Sequence, residues 1–160
     1  MQSITRVLIV ASALTGSMPL LAENLVASDL KAFTASIDAA RARCDIDAVV
    51  ERISPLATIS GTGLAQGDSR MYRMNKTTYA GIMKLLCAEA LSYKYTRTGE
   101  QISIDGDQAT ITSDVAESFV QNGRTVVTKV RDKAVVELID GKLMLVQLVS
   151  NQTEANVASR

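Results

Sequence analysis

From Ser92 to Ser150 apolar and polar residues alternate in long runs broken by short turn signals, the pattern of half-buried antiparallel strands. The breaks are Asp105-Gly106-Asp107, Gln121-Asn122-Gly123-Arg124 and Asp140-Gly141. Asp-Gly and Asn-Gly tolerate the positive φ angles of tight hairpins. The pattern predicts strands over 92–97, 101–105, 108–120, 125–139 and 142–150. Leu143 to Val149 is apolar at both parities, and Ala134, Val135, Val136 and Ile139 repeat this on the neighbouring strand. Strands of that kind are covered on both faces. Helices of one chain cover only one face, so the pattern predicts a homodimer through the sheet face.

The period changes ahead of the strands. Val26, Leu30, Phe33, Ile37, Ala40 and Cys44 recur at steps of three and four, one stripe of a five-turn helix. Lys31, Asp38, Arg41 and Arg43 fall off that stripe, and either Ser28 or Asn24 could cap its start. Asp45 reads as the cap of a second short helix with Ile46, Val49, Val50 and Ile53 buried, and Pro55 ends it. A short strand is expected over 56–60. Gly61 to Gly67 lacks the Gly-Lys-Ser/Thr of a phosphate loop and reads as a mobile hairpin or loop. Met71 to Met74 suggests a brief edge strand. A third helix is predicted over 76–91, capped by Asn75 or Thr77, with Tyr79, Met83, Leu86 and Ala90 as its stripe. The fold class is therefore α+β, three N-terminal helices packed on a curved antiparallel sheet.

The two ends read differently. Arg6, the apolar run Val7–Leu14, the Gly16-Ser17-Met18-Pro19 break and Ala22 follow the order of a secretory signal. Residues 1–22 are read as that signal, 23–150 as the domain and 151–160 as a polar, frayed tail. The expected location is periplasmic or secreted, with no membrane association after cleavage. Cys44 and Cys87, the two cysteines, would then form a disulfide between the first and third helices, or remain as two buried thiols.

Composition narrows the chemistry. Basic and acidic residues balance at 17 each without a basic run, so no nucleic-acid partner is expected. Histidine is absent, which removes the commonest neutral-pH acid/base group and metal ligand. No metal or cofactor is expected, and no motif marks a catalytic residue. Glu117 and Asp132 share parity with inward apolar residues. Buried, either would have a raised pKa and could move a proton. Strand ends commonly break parity, so both are expected to turn to water. Gln147, interrupting an apolar run, is expected inside a pocket, and Tyr79, Tyr93 and Tyr95 at its mouth or in the core.

The order of elements, with Ile102-Ser103-Ile104-Asp105-Gly106-Asp107-Gln108-Ala109-Thr110-Ile111 and Ile139-Asp140-Gly141-Lys142-Leu143, resembles the nuclear transport factor 2-like superfamily. That superfamily includes SnoaL-like and steroid-isomerase-like domains, and Leu143 stands where it often has Trp. The resemblance implies a cone-shaped domain with a pocket between helices and concave sheet. The fold hosts many functions, and no local motif maps residue by residue onto a catalytic set, so no catalytic residue is carried over. The expected role is non-catalytic binding of a small apolar ligand or a protein partner. The alternative is a small lyase or isomerase using Asp or Glu with Tyr.

Overall fold

The protein's structure, a computed structural model, describes residues 25–65, 68–89, 91–121 and 123–158. The expected export signal and the candidate cap Asn24 lie outside the described residues. Helix α1 spans Ala27–Ala42, and its apolar stripe buries Leu30, Phe33 and Ala40. The Ser28 side chain does not cap it. The Val26 carbonyl accepts from the N–H groups of Asp29 and Leu30, and Asp29 places a negative charge on the positive end of the helix dipole. Cys44 ends the turn in the left-handed region at φ 55°.

Asp45 caps α2 (Ile46–Glu51) by accepting from the Ala48 N–H at 3.2 Å. The helix stops before Ile53, which opens strand β1 (Ile53–Ala65) instead of closing the helix face. Pro55 forces the residue before it into extended geometry. Its missing N–H falls in the irregular stretch between the Ile53–Leu145 and Thr58–Gln147 pairings, where no ladder bond is lost. The glycine stretch begins inside this strand and is not a loop there. At Gly61 a Cβ would run into the Ser150 carbonyl, so the close approach of β1 to its neighbour requires glycine.

Strand β2 (Asp68–Met74) pairs antiparallel with β1. Helix α3 (Lys76–Glu89) follows, capped by Asn75, whose side chain accepts from the Thr78 N–H at 2.9 Å. It buries Tyr79 and Met83 and leaves Ile82 and Leu85 exposed. The meander comprises β3 (Leu91–Asp105), β4 (Gln108–Gln121), β5 (Arg124–Ile139) and β6 (Lys142–Ala158). The two segments expected over 92–105 form one strand, because Gly99 at φ 64° bridges an irregularity between Thr98 and Gln101. Gly106, Gly123 and the Asp140-Gly141 pair take positive φ at the turns.

The tail expected to fray is paired. Strand β6 continues to Ala158 against Thr125, and Lys129 bridges Glu154 at 2.6 Å. Backbone pairing needs no apolar side chains, which is why the polar composition of this stretch hid a strand. The sheet order is β2-β1-β6-β5-β4-β3, with β1 and β6 parallel.

The helices lie on the concave face, where Leu30, Ile53, Ile59, Ile111 and Val136 are fully buried. A one-residue bulge explains the apolar run of β6. Val135 pairs with Gln147 but Val136 pairs with Leu145, so Val146 is the extra residue. Parity inverts across it, and odd-numbered Leu143 and Leu145 share the concave core with even-numbered Leu148. Leu143, Leu145 and Leu148 thus all meet the core of one chain. Among the described residues no helix is long and apolar enough to cross a membrane.

Candidate ligand pocket beneath the third helix

Three inward positions on β3 set the polar centre of the cone. Tyr93, Tyr95 and Arg97 alternate on its concave side, opposite Glu117 and Val115 of β4. From above, α1 contributes Asp38 and Arg41, three residues apart and so on one helix face. Two arginine–carboxylate pairs result. The Arg97 Nε donates to both Asp38 oxygens at 3.0 and 3.1 Å, while its Nη groups reach the hydroxyls of Ser113 at 2.6 Å and Tyr95 at 2.7 Å. Arg41 pairs with Glu117 and donates to the hydroxyls of Tyr79 at 3.1 Å and Tyr93 at 3.3 Å. The Tyr93 hydroxyl itself donates to Glu117 at 2.8 Å. The Arg41 guanidinium also lies 4.5 Å from the Tyr95 ring centroid, a cation–π distance.

Burial explains the electrostatics. It pushes the Tyr93 and Tyr95 hydroxyls well above the ordinary tyrosine value, against the pull of Arg41. Both therefore stay protonated donors at neutral pH. Burial also opposes the charge on Arg41, but Tyr79, Glu117, Tyr93 and Tyr95 together outweigh it and hold the cation. One polar atom is left over: among the described residues the buried Arg41 Nε has no hydrogen-bond partner.

Beside this centre, beneath α3, is a cavity of ≈ 290 Å³. Its walls are mainly Ile59, Met74, Met83, Val115 and Leu148, with Arg41, Tyr72, Tyr79, Glu117, Asp132 and Ser150 as its polar groups. A narrower hollow of ≈ 40 Å³ runs deeper into the core and shares Arg41, Tyr79, Asp132 and Leu148 with it. Asp132 thus stands where the two meet. It is 4% exposed and accepts from the Ser150 hydroxyl at 2.5 Å. Burial raises its carboxyl above the ordinary value of 3.8; the Ser150 bond and the charges of Arg97 and Arg41 pull it down, and Glu117 adds to the rise.

A raised folded-state pKa has a definite sign. The buried ionised form opposes folding, so this contribution is absent below the unfolded value and grows as pH rises through the folded one. Wild-type protein should therefore lose stability relative to Asp132→Asn as pH climbs above about 4. Parallel urea titrations across that range check this, and parallel curves would refute it.

The sequence expectations divide cleanly. Glu117 and Asp132 were expected to turn to water; both face inward, because β4 and β5 stay in register over this stretch. Tyr79 lines the cavity. Tyr93 and Tyr95 sit behind it, holding the two arginines. Gln147, expected inside, is exposed on the opposite face beside Thr58 and Ser60, because the Val146 bulge inverts its parity. Cys44 and Cys87 are joined, with Cα atoms 5.7 Å apart. The arginines were missed, although two signals pointed to them. Arg97 continues the Tyr93–Tyr95 parity, and Arg41 lies one turn beyond Ile37 and two beyond Phe33 on α1. Among the described residues no group of three His, Cys, Asp or Glu side chains could hold a metal ion.

Similar arrangements of elements exist in solved structures. The Kfla4162 protein of Kribbella flavida superposes with a TM-score of 0.67 at 12% identity, covering 81% of this chain and 91% of its own. An NTF2-like protein of Cytophaga hutchinsonii gives 0.63 at 12% identity, over 79% and 98% of the two chains. The fold is the nuclear transport factor 2-like cone. A ketosteroid isomerase-like protein of Erwinia carotovora atroseptica shares this cone, with a TM-score of 0.61 and 13% identity over 79% of this chain and 95% of its own. No family model matches the sequence, and no curated protein matches it. At such identities the cone is shared, while the side chains that fill it are this protein's own.

Proposed function

We propose that this domain binds one small, largely apolar molecule in the cavity beneath α3. The observation that carries this reading is the hollow of ≈ 290 Å³, with an apolar lining and a few convergent polar groups. That combination is what small-molecule sites present. The Cys44–Cys87 bond supports work in an oxidising compartment, as does the export signal expected over residues 1–22. Protein purified under oxidising conditions should retain or take up one apolar molecule per chain in native mass spectrometry. Leu148→Trp, which fills the cavity, should abolish that uptake while leaving the far-ultraviolet circular dichroism unchanged. Equal uptake by a folded Leu148→Trp variant would sink the proposal.

One observation favours a second reading, a small lyase or isomerase. Asp132 is a buried carboxyl at the cavity wall with a raised pKa, as a group that shuttles a proton needs. Tyr79 and Tyr72 line the same wall. In that case Asp132→Asn would bind the same molecule and fail to convert it.

A further inference from the structure

The six-stranded sheet ends in two edges, β2 and β3, and they are unlike. An edge presents unpaired N–H and C=O groups to which another strand can add, unless the edge is broken or covered. Strand β3 is broken. Its register shifts between Leu91 and Lys94 and again between Thr98 and Gln101, where Gly99 turns to φ 64°. Strand β2 pairs residue for residue with β1 from Met74 to Asp68 without a shift. Its sequence holds no proline, and β1 is its one neighbour in the sheet.

The side chains decide what kind of strand fits. Met71 is 89% exposed, and Arg70 and Arg73 are exposed as well. Neither arginine is in an ion pair among the described residues. Tyr72 lines the cavity beneath α3, so Arg70 shares its side of the sheet while Met71 and Arg73 point away from the helices. On that far face an open hollow of ≈ 500 Å³, lined by Thr58, Ser60 and Gln147, reaches Met71 and Arg73 at the edge. A second copy fits poorly here. Antiparallel pairing of β2 with itself about Met71 would crowd the two guanidiniums of each copy along one short seam. The same arginines accept a strand of opposite charge.

We propose that the outer edge of β2 takes an extended, acidic segment of a partner protein as an added strand. Two of its carboxylates stand three residues apart, one opposite Arg73 on the far face and one opposite Arg70 on the helix side. An apolar residue between them covers Met71. Backbone hydrogen bonds hold the strand, and the two arginines select it. The site is separate from the cavity and does not depend on the small-molecule reading.

Fluorescence anisotropy of labelled, end-blocked peptides at low ionic strength tests this on the full chain. The peptide TVEVVET, with glutamates three apart, should bind about tenfold tighter than TVKVVKT, and added salt should shrink that ratio. Its isomer TVEVEVT, with both glutamates on one face, should bind more weakly than TVEVVET. The double variant Arg70→Glu with Arg73→Glu changes two exposed side chains and should reverse the preference towards TVKVVKT. N-methylation of alternate residues of TVEVVET, in two complementary forms, should abolish binding in the form whose blocked amides face β2. No binding of any peptide, or equal binding of the acidic and basic ones, would overturn the proposal. Binding that neither N-methylated form weakens would reduce it to surface charge and overturn strand addition. Sedimentation showing a dimer that Met71→Lys dissolves would assign the edge to a second copy and overturn the acidic partner.

Discussion

Replacing Arg41 by methionine is expected to destabilise the protein by about 3–5 kcal/mol, the cost of removing one partner from a buried ion pair. Arg41 and Glu117 side chains are only 11% and 18% exposed. The guanidinium also serves the Tyr79 and Tyr93 hydroxyls and lies against the Tyr95 ring. Methionine restores most of the volume and none of the charge, so the loss reports the stranded Glu117 carboxylate more than a cavity. The double variant Arg41→Met with Glu117→Gln should regain much of the stability, because the neutral amide needs no cation. Chemical denaturation of the four proteins of this cycle measures the coupling directly. A single variant within about 1 kcal/mol of wild type, or no recovery in the double variant, would show that the pair is not what organises the cone.

The second large effect concerns α3. Cys44 and Cys87 are 43 residues apart in sequence. Closing a loop of that length removes unfolded-state entropy worth about 4 kcal/mol in the chain-entropy model. Cys44→Ser with Cys87→Ser should lower the unfolding free energy by that order, and reductant should do the same to wild type alone. The bond has a local consequence as well. Tyr79, Met83 and Cys87 repeat at steps of four on one face of α3, so the crosslink holds the face that roofs the cavity. The Lys76 ammonium, donating to the Ile53 carbonyl at 2.6 Å, anchors the other end. Hydrogen exchange along α3 should therefore rise most towards its C-terminal end in the serine variant. Unchanged unfolding free energy with and without reductant would defeat this account.

How much of this was legible beforehand depends on the range of the interaction that decides each feature. The Asp45 cap is a contact between residues three apart, and it reads directly from sequence. So do the Gly106, Gly123 and Asp140-Gly141 turns, because φ preference belongs to the residue itself. The extension of β6 to Ala158 was hidden, since its pairing partner lies some thirty residues away and supplies backbone bonds to any side chain. Gln147 was misplaced for a related reason. Strict parity holds only while the register does, and the Val146 bulge is a property of two strands together.

The pocket shows the same division. Its carboxylates stood at inward parity in the sequence, yet that parity carried weight only once Arg41 and Arg97 were found beside them. An inward carboxylate without a cation is costly, and a sequence cannot bring α1 within reach of β3 and β4. By itself the sequence determined an α+β domain, its helix stripes, its hairpin turns and the paucity of acid/base groups left by the missing histidine. These follow from local backbone preference and from periodicity. Tertiary structure alone decided that Asp38 and Arg41 meet Arg97 and Glu117, and that Asp132 borders a cavity lined by Tyr79. Those features arise from groups brought together across tens of residues, where packing and pairing settle what each side chain faces.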